Sequence, residues 1–251
     1  MSHWLFDLGN TRLKCARMRH GGGLEEATAF GHDQAAFVDA LRRHLDAHQA
    51  SGSACLASVA SPALSAGVLE VLTARFQRIS VARTQPRFAG VRIAYAEPAR
   101  LGVDRFLALV AAHARAARPQ LIVGVGTAVT VDLLDADGRH LGGRIAPSPR
   151  LMREALQRAA AQLPAQGGRY REFADDTEDA LASGCDGAAV ALIERSRDRA
   201  ASLLGQVPAL LLHGGGADAL SPHLPDADSA PSLVLEGLAQ WALAGIPGPR
   251  R

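Results

Sequence analysis

Aromatic residues make up only 4% of the 251 residues, and the three cysteines, Cys15, Cys55 and Cys185, have neither metal-ligand nor redox spacing. A disulfide-stapled scaffold or a zinc ribbon is thereby excluded, and the expectation is a reduced, cytoplasmic protein. Neither sign of charge prevails: 27 Lys and Arg stand against 25 Asp and Glu, a formal net charge of +2. That balance makes no case for binding nucleic acid or a membrane surface. No apolar run is long enough to span a bilayer. The first apolar run is short and broken by Asp7, so no signal peptide is expected. Arg far outnumbers Lys and Ala is abundant, which reads as compositional bias. What is present is an ordinary mix, 48% hydrophobic, long enough to bury the core of a two-lobed enzyme.

The chain is organised around residues 5–14, LFDLGNTRLK. An apolar run delivers Asp7, turns through Leu8-Gly9-Asn10-Thr11, and leaves as a second strand, Arg12 to Ala16. Such a bend exposes backbone N–H groups on which a phosphate can sit, and Gly9 clears the approach. Thr11 offers a hydroxyl, Lys14 a positive charge and Asp7 a carboxylate for a hard cation such as Mg²⁺. An ordinary β-hairpin with a Gly-Asn turn fits the same residues equally well.

Strands and helices then alternate, the pattern of a mixed α/β sheet. Gly21-Gly22-Gly23 marks a turn and Glu25–Phe30 a third strand. Ala35–His48 is predicted helical from Phe37, Val38, Leu41 and Leu45, with His32, His44 and His48 read as solvated surface. Ala54–Val59 reads as a buried strand, Leu64–Phe76 as a helix opened by Ser61-Pro62, and Ile79–Ala82 as a strand. In Tyr95–Arg105, Pro98 and Gly102 make an irregular approach to a helix over Phe106–Ala117. Asp104 at its start is either a helix cap or a base that takes a proton from a hydroxyl while Arg105 holds an anionic substrate.

Residues 120–132 repeat the opening logic, strand, Gly126-Thr127 turn, strand, which favours phosphate over a merely structural turn at both bends. His140–Ile145 follows as a strand and Pro149–Leu163 as a helix. Thr177–Leu204 reads as helix interrupted at Gly184 and Gly187, with Thr177 opening a capping box. Leu210–His213 runs into a third glycine turn, Gly214–Gly216, against which a flat adenine or ribose could lie. Pro231–Leu243 is an amphipathic closing helix, with Glu236 and Trp241 structural.

Six segments in this order, DLGNTRLK (7–14), Y-x-x-P-x-x-LGVDR (95–105), GTAVTVD (126–132), GGRIAP (142–147), DTEDALASG (176–184) and HGGGAD (213–218), resemble the type III pantothenate kinase family. The family lies within the acetate/sugar kinase–Hsp70–actin superfamily. The resemblance implies two ribonuclease-H-like (actin-like ATPase) lobes, 1–118 and 119–251, with mixed β-sheets flanked by helices, in a homodimer with pantothenate near its interface. It implies transfer of the ATP γ-phosphoryl to the primary hydroxyl of pantothenate, giving 4'-phosphopantothenate, the first step of coenzyme A synthesis. Asp7, Leu8, Gly9, Asn10, Thr11, Arg12, Leu13 and Lys14 would bind ATP, with Asp7 in the Mg²⁺ shell and Thr127 as a further contact. Asp104 would be the general base. Tyr95, Gly102, Val103, Arg105 and Thr177 would surround pantothenate.

Two departures stand out. The family pattern has an aspartate at the position of Gly124, serving a monovalent-cation (K⁺ or NH₄⁺) or phosphate site, and its Pro-Gly is Pro147-Ser148 here. Backbone carbonyls, water or Asp132 could compensate for the missing carboxylate. Two alternatives therefore remain beside the kinase: a catalytically impaired nucleotide or pantothenate sensor, and a related kinase acting on another hydroxylated acid.

Overall fold

The computed structural model describes residues 3–19, 21–32, 37–164 and 166–245. Its contacts divide the chain into two units, one running to Ala116 and resuming at Ser232, the other Ala117–Pro231. The first unit opens with β1 (His3–Leu8), β2 (Arg12–Met18) and β3 (Thr28–Gly31), then α1 (Phe37–Ala47), β4 (Ser53–Ser58), α2 (Pro62–Thr73) and β5 (Arg78–Val81). Its sheet has the order β3-β2-β1-β4-β5, antiparallel on the β3–β2–β1 side and parallel from β1 through β4 to β5. A small hairpin, β6 (Arg87–Phe88) and β7 (Val91–Arg92), a 3₁₀ turn at Pro98–Arg100 and α3 (Val103–Arg115) follow.

The second unit repeats this winding. It contains β8 (Gln120–Val125), β9 (Ala128–Leu134), β10 (His140–Pro147), α4 (Pro149–Ala159), α5 (Thr177–Leu204), β11 (Ala209–His213), α6 (Ala217–Leu220) and β12 (Ala227–Ser229). The order is β10-β9-β8-β11-β12, again antiparallel then parallel. Third, second, first, fourth, fifth strand is thus the order in both sheets, the ribonuclease-H-like α/β arrangement expected from the sequence. The last helix, α7 (Leu233–Gly245), returns to the first unit.

The period of two along each strand sorts the side chains. Trp4, Phe6 and Leu8 of β1 join Phe37, Leu41 and Leu45 of α1 and Val68, Val71 and Leu72 of α2 in one core cluster. Leu5 and Asp7 alternate with them and face the other way, so β1 is covered on both sides, as a central strand should be. In the second unit Leu121, Val123 and Val125 meet Ala189, Val190 and Ile193 of α5, which leaves Ile122 and Gly124 on the opposite face.

Several boundaries depart from the sequence reading. The division expected at 118/119 falls at Ala116, and α7 belongs to the first unit instead of the second. Its packing on α3, β1, β2 and β4 decides this, and no local pattern announces a long-range return. α5 runs unbroken through Gly184 and Gly187, because a helix of 28 residues tolerates the roughly 1 kcal/mol that each glycine costs. α4 stops at Ala159, short of Leu163. The hairpin β6–β7, α6 and β12 are too short to show a period. Ala35 and Ala36 of the first predicted helix lie outside the described residues. Ser148, where the family pattern has glycine, is the buried cap of α4 and accepts from Leu151 N (3.3 Å). Among the described residues no helix is long and apolar enough to cross a membrane.

Gly237 of α7 lies against the backbone of Leu107 in α3, where a Cβ would strike the Leu107 carbonyl. Nearby, Glu236 of α7 accepts two hydrogen bonds from Arg115 of α3, at 2.8 and 2.7 Å. In an isolated helix Gly→Ala would stabilise by about 1 kcal/mol. Here Gly237→Ala is expected to lower stability by about 1–3 kcal/mol through overpacking, read as a fall in the urea unfolding midpoint. A rise would show that the two helices do not meet closely at this point.

Candidate active site

In the first unit, the ends of three elements converge on Asp7. It is the penultimate residue of β1, directly opposite Lys14 on β2. The β1–β2 turn is closed by Gly9 N donating to Arg12 O (3.0 Å). A Cβ on Gly9 would meet nothing nearer than that oxygen at 3.4 Å, and Gly9 has no positive φ. The protein itself therefore does not demand glycine there, and its bareness leaves open space above the turn. Asn10, Thr11 and Arg12 are exposed around it. Leu8 and Leu13 are fully buried in the α1/α2 core, so within the predicted nucleotide stretch only their backbone groups can serve a ligand.

The neighbouring strand β4 is tied to β1 where Val59 N donates to Leu8 O (3.0 Å). Against Val59 lies the start of α3: a Cβ on Gly102 would be 3.7 Å from Val59 Cγ1 and 2.5 Å from Asp104 Oδ1. Gly102, not Asp104, is the N-cap. Asp104 sits within the first turn, its Oδ1 accepting from Arg105 N (2.8 Å), so it satisfies a first-turn N–H without being the N-cap. Gly102 must lack a side chain for that carboxylate to hold its position. Arg105 is buried, donates from Nη1 to the Tyr95 hydroxyl (3.3 Å), and carries its guanidinium 5.9 Å from the Tyr95 ring centre. Val103, also buried, has only its backbone to offer.

Burial above all, and then the charge of Asp104, push the Asp7 carboxyl up to about 7, with Lys14 opposing. Two carboxylates share this corner. Among the described residues no group of three or more His, Cys, Asp or Glu could hold a metal. One carboxylate with water and substrate phosphates suffices for Mg²⁺, and Asp7 fits that role. Lys14 is the only lysine in the chain, every other side chain among the 27 Lys and Arg residues being arginine. Its compact ammonium lies opposite Asp7, a point charge of the kind that suits a phosphate.

In the second unit Gly126 and Thr127 form the β8–β9 turn, closed by Gly126 N donating to Ala128 O (2.9 Å). A Cβ on Gly126 would be 4.0 Å from its nearest neighbour, the same unforced glycine as Gly9. The β11–α6 turn is different. Gly214 has φ +97° and lies against the Val125 backbone, and Gly216 N donates to Val125 O (2.9 Å). Packing between strands already explains those two glycines, without the adenosine expected there.

Gly124 sits between Thr130 on β9 and His213 on β11. A Cβ placed on it would stand 2.8 Å from Thr130 Oγ1 and 3.0 Å from both Cε1 and Nε2 of His213. Asp132, one pleat further along β9, is buried and accepts from His140 Nε2 (3.0 Å), so it is engaged elsewhere. The sequence reading treats His213 as an ordinary strand-end histidine. Its signal is only the register that sets it beside Gly124. Thr177 is exposed in the first turn of α5, and Asp176, not Thr177, is the cap, accepting from Asp179 N (2.9 Å).

A model of the type III pantothenate kinase family matches residues 4–199. A type III pantothenate kinase of Stenotrophomonas maltophilia is 58% identical over 243 residues, covering 97% of this chain and 98% of its own. One from Xanthomonas euvesicatoria pv. vesicatoria is 55% identical over 244 residues, with 97% and 98% covered. Among solved structures, a protein of Campylobacter jejuni described as a Baf family transcriptional activator aligns with a TM-score of 0.65 at 18% identity, covering 97% of this chain and all of its own. One of Sinorhizobium meliloti described as a 2-dehydro-3-deoxygalactonokinase aligns at 0.60 and 16% identity, covering 98% and 100%. These two share the fold.

The raised Asp7 carboxyl has a signed consequence. Below about pH 4 both folded and unfolded chains hold its proton; between there and about 7 only the folded chain does, so stability falls as pH rises through that window. Asp7→Asn is therefore expected to raise the melting temperature, by more at about pH 8 than at about pH 5. An equal shift at both pH values would contradict the burial of that charge.

Proposed function

The chain belongs to the type III pantothenate kinase family, and from that we propose that it transfers the γ-phosphoryl of ATP to the primary hydroxyl of pantothenate. The observation that carries the reading at the level of residues is the carboxylate pair Asp7 and Asp104, set at a phosphate-type hairpin and a helix start. Phosphoryl transfer asks mainly for positioning and charge neutralisation, which two carboxylates, one lysine and open turns can supply.

The β1–β2 turn offers its backbone N–H groups and Lys14 to the phosphates. Asp7 would hold Mg²⁺, which when bound would neutralise negative charge on the ATP phosphates. Asp104 accepts the hydroxyl proton of pantothenate as its oxygen bonds to the γ-phosphorus and the bond to the β-phosphate oxygen breaks, releasing ADP. Arg105, stiffened by Tyr95, holds the anionic end of pantothenate, and Tyr95 lines its pocket. Nothing observed favours the impaired sensor or another hydroxylated acid. A cytoplasmic location is proposed with this function, supported by three unpaired, buried cysteines.

A homodimer is proposed as well. Its support lies in the second unit, where α4 buries none of its residues. Ile145, Leu156 and Phe173 are exposed there, Phe173 by 97%, and large exposed apolar side chains suit an interface. Phe173→Asp with Leu156→Asp should shift sedimentation from dimer to monomer. A wild-type monomer would refute the dimer.

The test of the reaction is ADP release with Mg·ATP, with and without pantothenate. Release is expected only with pantothenate. Asp104→Asn should lower kcat by about 10²–10⁴-fold with an unchanged melting temperature. Full activity in that variant would remove Asp104 as the base.

A further inference from the structure

The resemblance implies a monovalent cation beside the second phosphate turn, held by a carboxylate at position 124. The donors present do not fit one. Position 124 is glycine, and it is not an empty gap. The volume just beyond its Cα is taken by Thr130 Oγ1 and the imidazole of His213, at 2.8 and 3.0 Å from where a Cβ would begin. A carboxylate, extending further still, cannot enter without displacing both. The acid on the same face of β9, Asp132, is buried against His140. The side chains nearest position 124 are one hydroxyl and one imidazole, whereas hard cations take several oxygen ligands and imidazole suits transition metals.

The three residues form one packing unit. Thr130 and His213 are the register partners of Gly124 on the two strands flanking β8, and all three face away from the α5 core. His213 is also the last residue before the β11–α6 turn, which is hydrogen-bonded to Val125, the residue leading into Gly126-Thr127. Glycine at 124 is what lets the imidazole reach this place. In either protonation state an imidazole carries at least one N–H, a donor suited to phosphate oxygen and unsuited to a cation.

We infer that this protein has no monovalent-cation site at position 124, that His213 and Thr130 occupy it, and that phosphoryl transfer does not depend on K⁺ or NH₄⁺. His213 is thereby a positioning residue of the Gly126–Thr127 turn. The inference rests on the proposed reaction for its rate readout, and nucleotide binding gives a second readout that does not.

The experiment measures pantothenate-dependent ADP release and, by calorimetry, Mg·ATP affinity, in K⁺, NH₄⁺, Na⁺ and tetramethylammonium buffers of equal ionic strength. Both are expected to agree within about twofold across the four salts. A loss of about tenfold or more in either quantity without K⁺ or NH₄⁺ would overturn the inference. Should no ADP be released in any salt, the proposed reaction fails, and the affinities alone still decide the cation question. His213→Ala should lower kcat about tenfold or more with KM for pantothenate unchanged, and His213→Gln, which keeps an N–H, should recover part of it. Wild-type kinetics in His213→Ala would remove His213 from this role.

Discussion

Two carboxylates brought together at one corner of the first unit are the constraint on which the other features depend. Asp7 is on the strand that runs through the middle of its sheet, with a core on one side and α7 among its neighbours. Ionising it there is costly, and Asp104 makes it costlier. A fold driven only by stability would not keep this pair. Its persistence beside the only lysine, at a turn whose glycine is free of packing demands, makes sense if a cation and a polyphosphate complete the site.

The glycines sort by the same reasoning. Gly214, Gly216 and Gly237 are bare because another backbone or a close side chain lies where a Cβ would go. Gly102 is bare to let the Asp104 carboxylate stand beside it. Gly9 and Gly126 have no such neighbour, and they are the two residues at the tips of the corresponding hairpins of two sheets with identical strand order. Repetition of the fold therefore repeats the open turn, while the side chains around it diverge: Asp7 and Lys14 in one unit, Gly124, Thr130 and His213 in the other.

Much of this was legible in the sequence. The strand–turn–strand around Gly9, its repeat at Gly126, and the strand–helix alternation are local patterns, and they predict the sheets and both hairpins. The six ordered segments point to the family, and Asp7, Asp104, Arg105 and Tyr95 do come together within one unit. What stayed hidden depends on register and long-range packing. Asp104 at a helix start reads as a cap until Gly102 is seen to hold that position. Leu8 and Leu13 look like site residues by adjacency, yet the period of two turns both into the core. The loss of a carboxylate at 124 looks like damage from one strand alone, and only the pairing of three strands shows what fills the space. The return of α7 to the first unit carries no local mark.

With its carboxyl raised to about 7 by burial and by Asp104, Asp7 should give up a proton when a nucleotide-bound cation reaches it. Calorimetric titration of Mg·ATP near pH 7, in two buffers of different ionisation enthalpy, counts the protons released on binding. The account predicts release of about half a proton per nucleotide near pH 7 that vanishes toward pH 9 and in Asp7→Asn. Binding that releases no proton at any pH, or the same number in the variant, would contradict it.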